Sequence, residues 1–172
     1  MLQMLLISLF FIFNLNAKTV PVDQVDLNRY MGDWYEIVSL PQTFTEGCFC
    51  TRAQYSLNDN GTVKVLNTCH KGSIDGKLTK AKGRAKVVNA PANSKLKVSF
   101  FWPFYGDYWI VGLKEDYTVA VISNHDGSSF WVLSRKPTLP ESDLTWALQI
   151  AQDQKIDLTN LKTTEQSGCT YP

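Results

Sequence analysis

The chain has 172 residues, a length that suits one domain with a single core. With 19% charged and 44% apolar residues, it is neither a disordered polymer nor a bundle of membrane helices. The formal net charge is +1, and Lys and Arg are scattered along the chain, which argues against a basic nucleic-acid face.

Met1 to Ala17 holds no charged residue, and Leu5 to Phe13 is apolar apart from Ser8. That run is too short to span a bilayer as a helix, which takes about 20 residues. Followed by Ala17 and a polar segment, it predicts an export signal over residues 1–17, cut near Ala17–Lys18. Two features depart from the usual pattern: no Lys or Arg opens it, and Leu15 is bulky for a site just before the cut. No cysteine lies near the cut, so no lipid anchor is expected and the mature protein should be soluble. Lys18 to Arg29 follows as a polar N-terminal arm, and residues 30–172 form the domain proper.

Strand-like runs then alternate with turn signals. They are Trp34 to Leu40, Thr51 to Leu57, Thr62 to Leu66, Lys80 to Val88, Lys95 to Phe101, Tyr108 to Leu113, Tyr117 to Ser123 and Phe130 to Ser134. Asn58-Asp59-Asn60-Gly61 is a strong hairpin signal, because Asn and Gly tolerate positive φ. Eight runs at nearly even spacing fit a sandwich or an up-and-down barrel. Pro140 to Gln152 differs in period: Leu144, Ala147, Leu148 and Ala151 lay one apolar stripe on a helix. Pro140 suits its first turn, where a missing N–H costs nothing.

Four cysteines, Cys48, Cys50, Cys69 and Cys169, imply two disulfides in an exported chain. A Cys48–Cys50 bond would close a tiny strained ring, so each of these two must reach Cys69 or Cys169. A zinc site would want a Cys-x2-Cys spacing, which is absent. The two histidines, His70 and His125, lie beside turn signals and are expected at the surface. No Gly-x-Ser-x-Gly, His-Glu-x-x-His or glycine-rich phosphate loop is present, so no catalytic residue and no cofactor is expected. Asn60-Gly61-Thr62 is formally a glycosylation acceptor and equally a plain hairpin turn.

Gly32-Asp33-Trp34-Tyr35-Glu36-Ile37 at the first strand resembles the Gly-x-Trp signature of the lipocalins. Arg135, in Leu133-Ser134-Arg135 at the end of the eighth, matches the late arginine of that family. Guanidinium over indole is favourable by roughly 0.5–2 kcal/mol, and in the family this pair closes the narrow end. The resemblance covers nearly the whole mature chain. It is closest to bacterial outer-membrane lipocalins and apolipoprotein D, through Ala53-Gln54-Tyr55-Ser56-Leu57, Lys95 to Phe101 and Trp131 to Pro137. Two features depart from it. Leu113-Lys114-Glu115 stands where the family has Thr-Asp-Tyr, and the lipidated cysteine of the bacterial relatives is missing.

The resemblance implies an all-β fold: an eight-stranded antiparallel up-and-down barrel with one C-terminal α-helix packed outside. It also implies Cys50–Cys169, which leaves Cys48–Cys69. By period and by resemblance the inward positions are Val38 and Leu40; Ala53 and Tyr55; Val65 and Asn67; Ala81 and Ala85; Val98 and Phe100; Tyr108 and Ile110; Val119 and Val121; Trp131 and Leu133. Ala53, Ala81 and Ala85 are too small to fill a barrel of this width, so a cavity is expected. A small hydrophobic ligand follows, a fatty acid or lysophospholipid, held for transport or storage. Burying about 14 methylenes at roughly 0.8 kcal/mol each gives on the order of 11 kcal/mol gross, much of it offset by ordering the chain. Its head group should stay at the open end, since an unpaired buried charge is costly.

Phe101-Trp102-Pro103-Phe104-Tyr105 is open to three readings: a lipid-contacting mouth, a dimer surface, or ordinary packing of a tight turn. The chain is expected to be a monomer or homodimer, to touch membranes transiently and to bind no nucleic acid. The periplasm is the expected location, with extracellular secretion as the alternative. Other readings are a loop-mediated protein-binding or protease-inhibitor barrel and a lipid-modifying enzyme. An outer-membrane barrel would end in an aromatic residue, whereas this chain ends in Tyr171-Pro172 after its helix. Replacing Trp34 or Arg135 should weaken the closed end and spare ligand choice, whereas replacing Tyr108 or Trp131 should change affinity.

Overall fold

Short alternating runs parted by Gly, Asn, Asp and Pro produce a meander in which each strand pairs with the next. In the computed structural model, which describes residues 19–172, the strands are β1 (Gly32–Ser39), β2 (Cys48–Leu57), β3 (Val63–Lys71) and β4 (Lys77–Val87). They continue as β5 (Lys95–Phe101), β6 (Phe104–Leu113), β7 (Val119–Ser123) and β8 (Phe130–Ser134). Neighbours are antiparallel, and β1 pairs with both β2 and β8, which closes the barrel. The expected export signal lies outside the described residues.

Several boundaries differ from the sequence reading. β3 runs on to Lys71 and pairs with a β4 that starts at Lys77, three residues before the expected Lys80. Asn67, Thr68 and His70 break the apolar alternation there, although the backbone ladder continues. Tyr117, expected to open the seventh strand, sits in a turn at φ 61°, and the strand begins at Val119.

The helix α2 (Glu141–Asp153), one residue off the expected start, packs outside the barrel on β6 and β7. Gly112 sets its closest approach: a Cβ there would stand 2.5 Å from Ile150 Cδ1. Ala147 and Ala151 face the sheet with no exposed surface. Around them Val111, Val119, Val121, Phe130 and Val132 form an outer core on the convex face of the barrel.

After α2 the chain runs past β8 to β1. A two-residue strand, β9 (Lys162–Thr163), pairs with Val38 and Ser39 on β1, and Cys50 N–H donates to Glu165 O at 2.9 Å. The β1–β2 pairing ends at Tyr35–Arg52, so this tail fills the gap where the two strands part. Cys50–Cys169 pins it there, and Cys48–Cys69 ties β2 to β3. Closing the long loop of the first bond is worth about 4–5 kcal/mol by the chain-entropy argument.

The N-terminal arm lies along the barrel through backbone bonds from Val22 to Ile110 O and from Val25 to Ala92 O. It ends in one turn of helix, α1 (Leu27–Tyr30), whose first N–H groups are capped by Asp26. This turn carries Tyr30 across the narrow end.

Candidate functional site

The narrow end is plugged from the sequence outward. Gly32 adopts φ +99°, and a Cβ on it would stand 3.2 Å from Arg135 Nη1, so glycine is required on both counts. Arg135 lies 3.8 Å above the centre of the Trp34 ring and donates to the carbonyls of Asp33, Arg29 and Tyr117 at 3.0, 2.7 and 3.2 Å. Trp34 has no exposed surface, and its indole N–H donates to Tyr30 O at 2.8 Å. Strand start, strand end and arm are thereby joined by one guanidinium.

Above this plug the barrel is hollow. A cavity of about 830 Å3 opens at the end away from Arg135, a size that falls within the roughly 300–1,000 Å3 of known ligand pockets. Ala53, Tyr55, Val65, Asn67, Ala81, Ala85, Val98, Phe100, Tyr108, Trp131 and Leu133, all expected inside, line it. Ile110 points inward too, but it is fully covered by the cluster over the plug.

Four expected lining residues are on the other face. Val38, Leu40, Val119 and Val121 belong to the outer core under α2. In β1 the cause is a β-bulge, which adds a residue and reverses every side chain beyond it: the register slips between Glu36 and Val38. β7 has no slip against β8 and is apolar at nearly every position, so only its pairing of Ala120 with the inward Leu133 fixes its phase. Glu36, before the bulge, faces the lumen with Trp34, and Ala120 and Ile122 are the inner residues of β7.

The lumen carries few polar groups. Tyr108 shares its hydroxyl with Tyr30 at 2.8 Å and with Tyr55 at 3.2 Å, which satisfies three phenols among themselves. Burial pushes the Tyr55 phenol up to about 12 and those of Tyr30 and Tyr108 well above their ordinary value. All three stay protonated at neutral pH and serve as hydrogen-bonding groups, not bases. Burial also raises the carboxyl of Glu36, against the opposing bonds from Thr164 and Ser39. Neither histidine borders the cavity; His125 is half exposed in the loop after β7 and pairs with Asp107 at 2.8 Å. Burial alone would raise Asp107, yet its bonds to Lys97 and His125 outweigh that and hold it low.

The open end has two features. Lys71 and Lys80 border it as cations. Phe101, Trp102 and Phe104 are 80%, 83% and 76% exposed at the tip between β5 and β6, with Phe44 on the facing loop at 64%. Ordinary packing of a tight turn, one of the readings of this segment, does not describe it.

The family model described as a lipocalin-like domain matches residues 25–166 of this chain. The chain belongs to the lipocalin family. Curated relatives agree: outer membrane lipoprotein Blc of Vibrio cholerae is 34% identical over 147 residues, 85% of each chain. Apolipoprotein D of Mus musculus is 35% identical, over 86% of this chain and 80% of its own. Among solved structures, insecticyanin from the tobacco hornworm Manduca sexta superposes with a TM-score of 0.70 at 19% identity, covering 89% of this chain and 88% of its own. Lobster apocrustacyanin A1 gives 0.64 at 21%, over 82% and 79%. At such identities these structures speak for the fold alone. Lipocalins generally bind small hydrophobic ligands and are not, as a class, enzymes, and this lipocalin has the plugged, one-ended barrel that such a role requires.

Sequence reasoning misses several lining residues, among them Tyr30, Thr51, Val63, Leu96 and Glu36. Glu36 belongs to the stretch that carries the Gly-x-Trp signature, and its place on the lumen side follows from the same parity that puts Trp34 inside two residues earlier.

Proposed function

We propose that this lipocalin carries a single-chain lipid, a fatty acid or lysophospholipid, with its tail in the lumen and its head at the mouth beside Lys71 and Lys80. The observation that carries the reading is the underfilled apolar interior: Ala53, Ala81 and Ala85 leave space that Phe100, Trp131 and Tyr55 do not take up. An alkyl tail gains about 25 cal/mol per Å2 on leaving water for such a wall. A cationic rim suits an anionic head that must remain solvated.

The exposed aromatics fit a transient membrane contact that presents the mouth to a source of lipid. Trp and other aromatic side chains favour the interfacial depth of a bilayer. W102S/F104S should lose binding to anionic vesicles while keeping the fold by circular dichroism. The two disulfides and the named outer-membrane relatives support an exported protein, for which the periplasm is the proposed location.

Titration with a fluorescent fatty acid tests the carrier reading. Saturable binding at one site, displaced by oleate and by lysophospholipid near micromolar concentrations, is the expected result. Absence of saturable displacement by either would remove it.

A further inference from the structure

The lumen holds a second kind of recognition group that a plain alkyl carrier does not need. Glu36 is 7% exposed and borders the cavity about one inward step above Trp34. Both bonds to its carboxyl fall on one oxygen: Ser39 Oγ donates to Oε1 at 3.0 Å and Thr164 Oγ1 at 2.6 Å. Oε2 receives no protein donor among the described residues. Among the described residues no cation pairs with this carboxyl: Lys71 and Lys80 stand at the mouth and Arg135 lies beneath the plug.

Two further polar atoms share the same wall. Thr51 and Asn67 line the cavity, and Thr51 Oγ1 and Asn67 Oδ1 are buried with no hydrogen-bond partner among the described residues. Thr51 is held opposite Glu36, since Gln166 Nε2 donates to Glu36 O at 2.7 Å and to Thr51 O at 2.9 Å. Asn67 is on the next strand, paired with Ala53, two residues on from Thr51. An unpartnered buried polar group costs roughly 1–3 kcal/mol, so these two, on one wall with a carboxylate bonded at one oxygen, are expensive unless something meets them. The hydroxyl and the amide can donate as well as accept, but neither neutralises the charge of the Glu36 carboxylate. What it lacks is an N–H-bearing cation.

We propose that Glu36, Thr51 and Asn67 form an internal head-group site for the ammonium of a long-chain amine, so that a cationic amphiphile binds with its head inward. This inference rests on the carrier reading of the same lumen and adds a second orientation to it. A charge-assisted bond to Oε2, with the Thr51 hydroxyl and the Asn67 amide oxygen turning into the lumen to accept the other two N–H groups, uses all three donors of a primary ammonium. A fatty acid entering head-first would meet the carboxylate of Glu36 instead, which keeps its head at the mouth.

Competition for a neutral naphthylamine dye at neutral pH, by dodecylamine, dodecanol and dodecanoate, tests this on the full mature chain. Dodecylamine should outcompete dodecanol by about tenfold or more, the equivalent of one charge-assisted bond. E36Q keeps the acceptor for Ser39 and Thr164 and should bring the amine-to-alcohol ratio close to one. T51V, which removes only an unpartnered hydroxyl, should lower that ratio severalfold and covers the case in which E36Q fails to fold. Equal displacement by amine and alcohol from the wild-type protein overturns the inference and leaves the carrier reading standing, with water alone in the niche. An unchanged ratio in E36Q likewise reduces Glu36 to a clamp for the C-terminal tail. Failure of all three compounds to displace the dye overturns both readings.

Discussion

The two faces of this barrel are both apolar, yet only one is filled. On the convex side Val119, Val121, Phe130 and Val132 are at most 1% exposed, because α2 and the segment around Ile156 lie over them. On the concave side Tyr55, Val98, Phe100, Tyr108 and Trp131 point inward and still keep accessible surface. The interior of the sheet is thus wetter than its covered exterior, the reverse of an ordinary core. Hydrophobicity alone does not decide whether a surface is packed. What decides is whether the chain supplies an element to cover it, and the lumen receives none above the Trp34–Tyr30 plug.

That contrast breaks most sharply under truncation. F130A should destabilise the protein by about 3–5 kcal/mol, since it opens a void in a packed core. F100A removes the same ring from the lumen wall, where no packed shell collapses, and should cost nearer 1 kcal/mol. Urea unfolding of the two variants compares them directly, and equal losses would mean the lumen is as well packed as the outer core.

Filling the void is the converse. A81W should reduce fatty-acid affinity by about tenfold or more while changing stability by only about 1 kcal/mol in either direction. Dye displacement reads the first and thermal unfolding the second. Undiminished affinity would place the tail elsewhere.

The smallest effect concerns Glu36 and depends on pH. Burial raises its carboxyl, so the folded chain holds that proton more tightly than the unfolded chain. Stability contributed by the protonated form is then complete in acid and falls as pH rises from the unfolded carboxyl value through the folded one. E36Q has no such loss and should melt higher than wild type at neutral pH, with the two curves converging in acid. A constant gap across that range would show that Glu36 is not stranded as a carboxylate.

Much of this architecture was legible in the chain. The eight barrel strands and a helix within one residue of its observed bounds follow from period and turn chemistry, and the Trp34–Arg135 pair from the resemblance to lipocalins. The misses share a physical origin. A bulge leaves no local mark when the inserted residue is Ile37, as apolar as its neighbours, so period puts Val38 and Leu40 in the lumen; β7 is apolar on both faces, so period gives Val119 and Val121 no phase. β9 is two residues long and exposed, and it exists only because β1 and β2 part and the Cys50–Cys169 bond brings the tail to the gap. Of the polar niche, Asn67 falls inside by period and by resemblance, but nothing in the chain signals that Thr51 and Glu36 border the same cavity.

The central claim is that the lumen of this lipocalin holds one alkyl chain. Native mass spectrometry of the protein purified from its own host, before and after incubation with oleate, tests it most directly. The account predicts one lipid mass retained per chain, or one oleate taken up where the lumen arrives empty. A bare protein mass in both samples, at oleate concentrations well above micromolar, would contradict it.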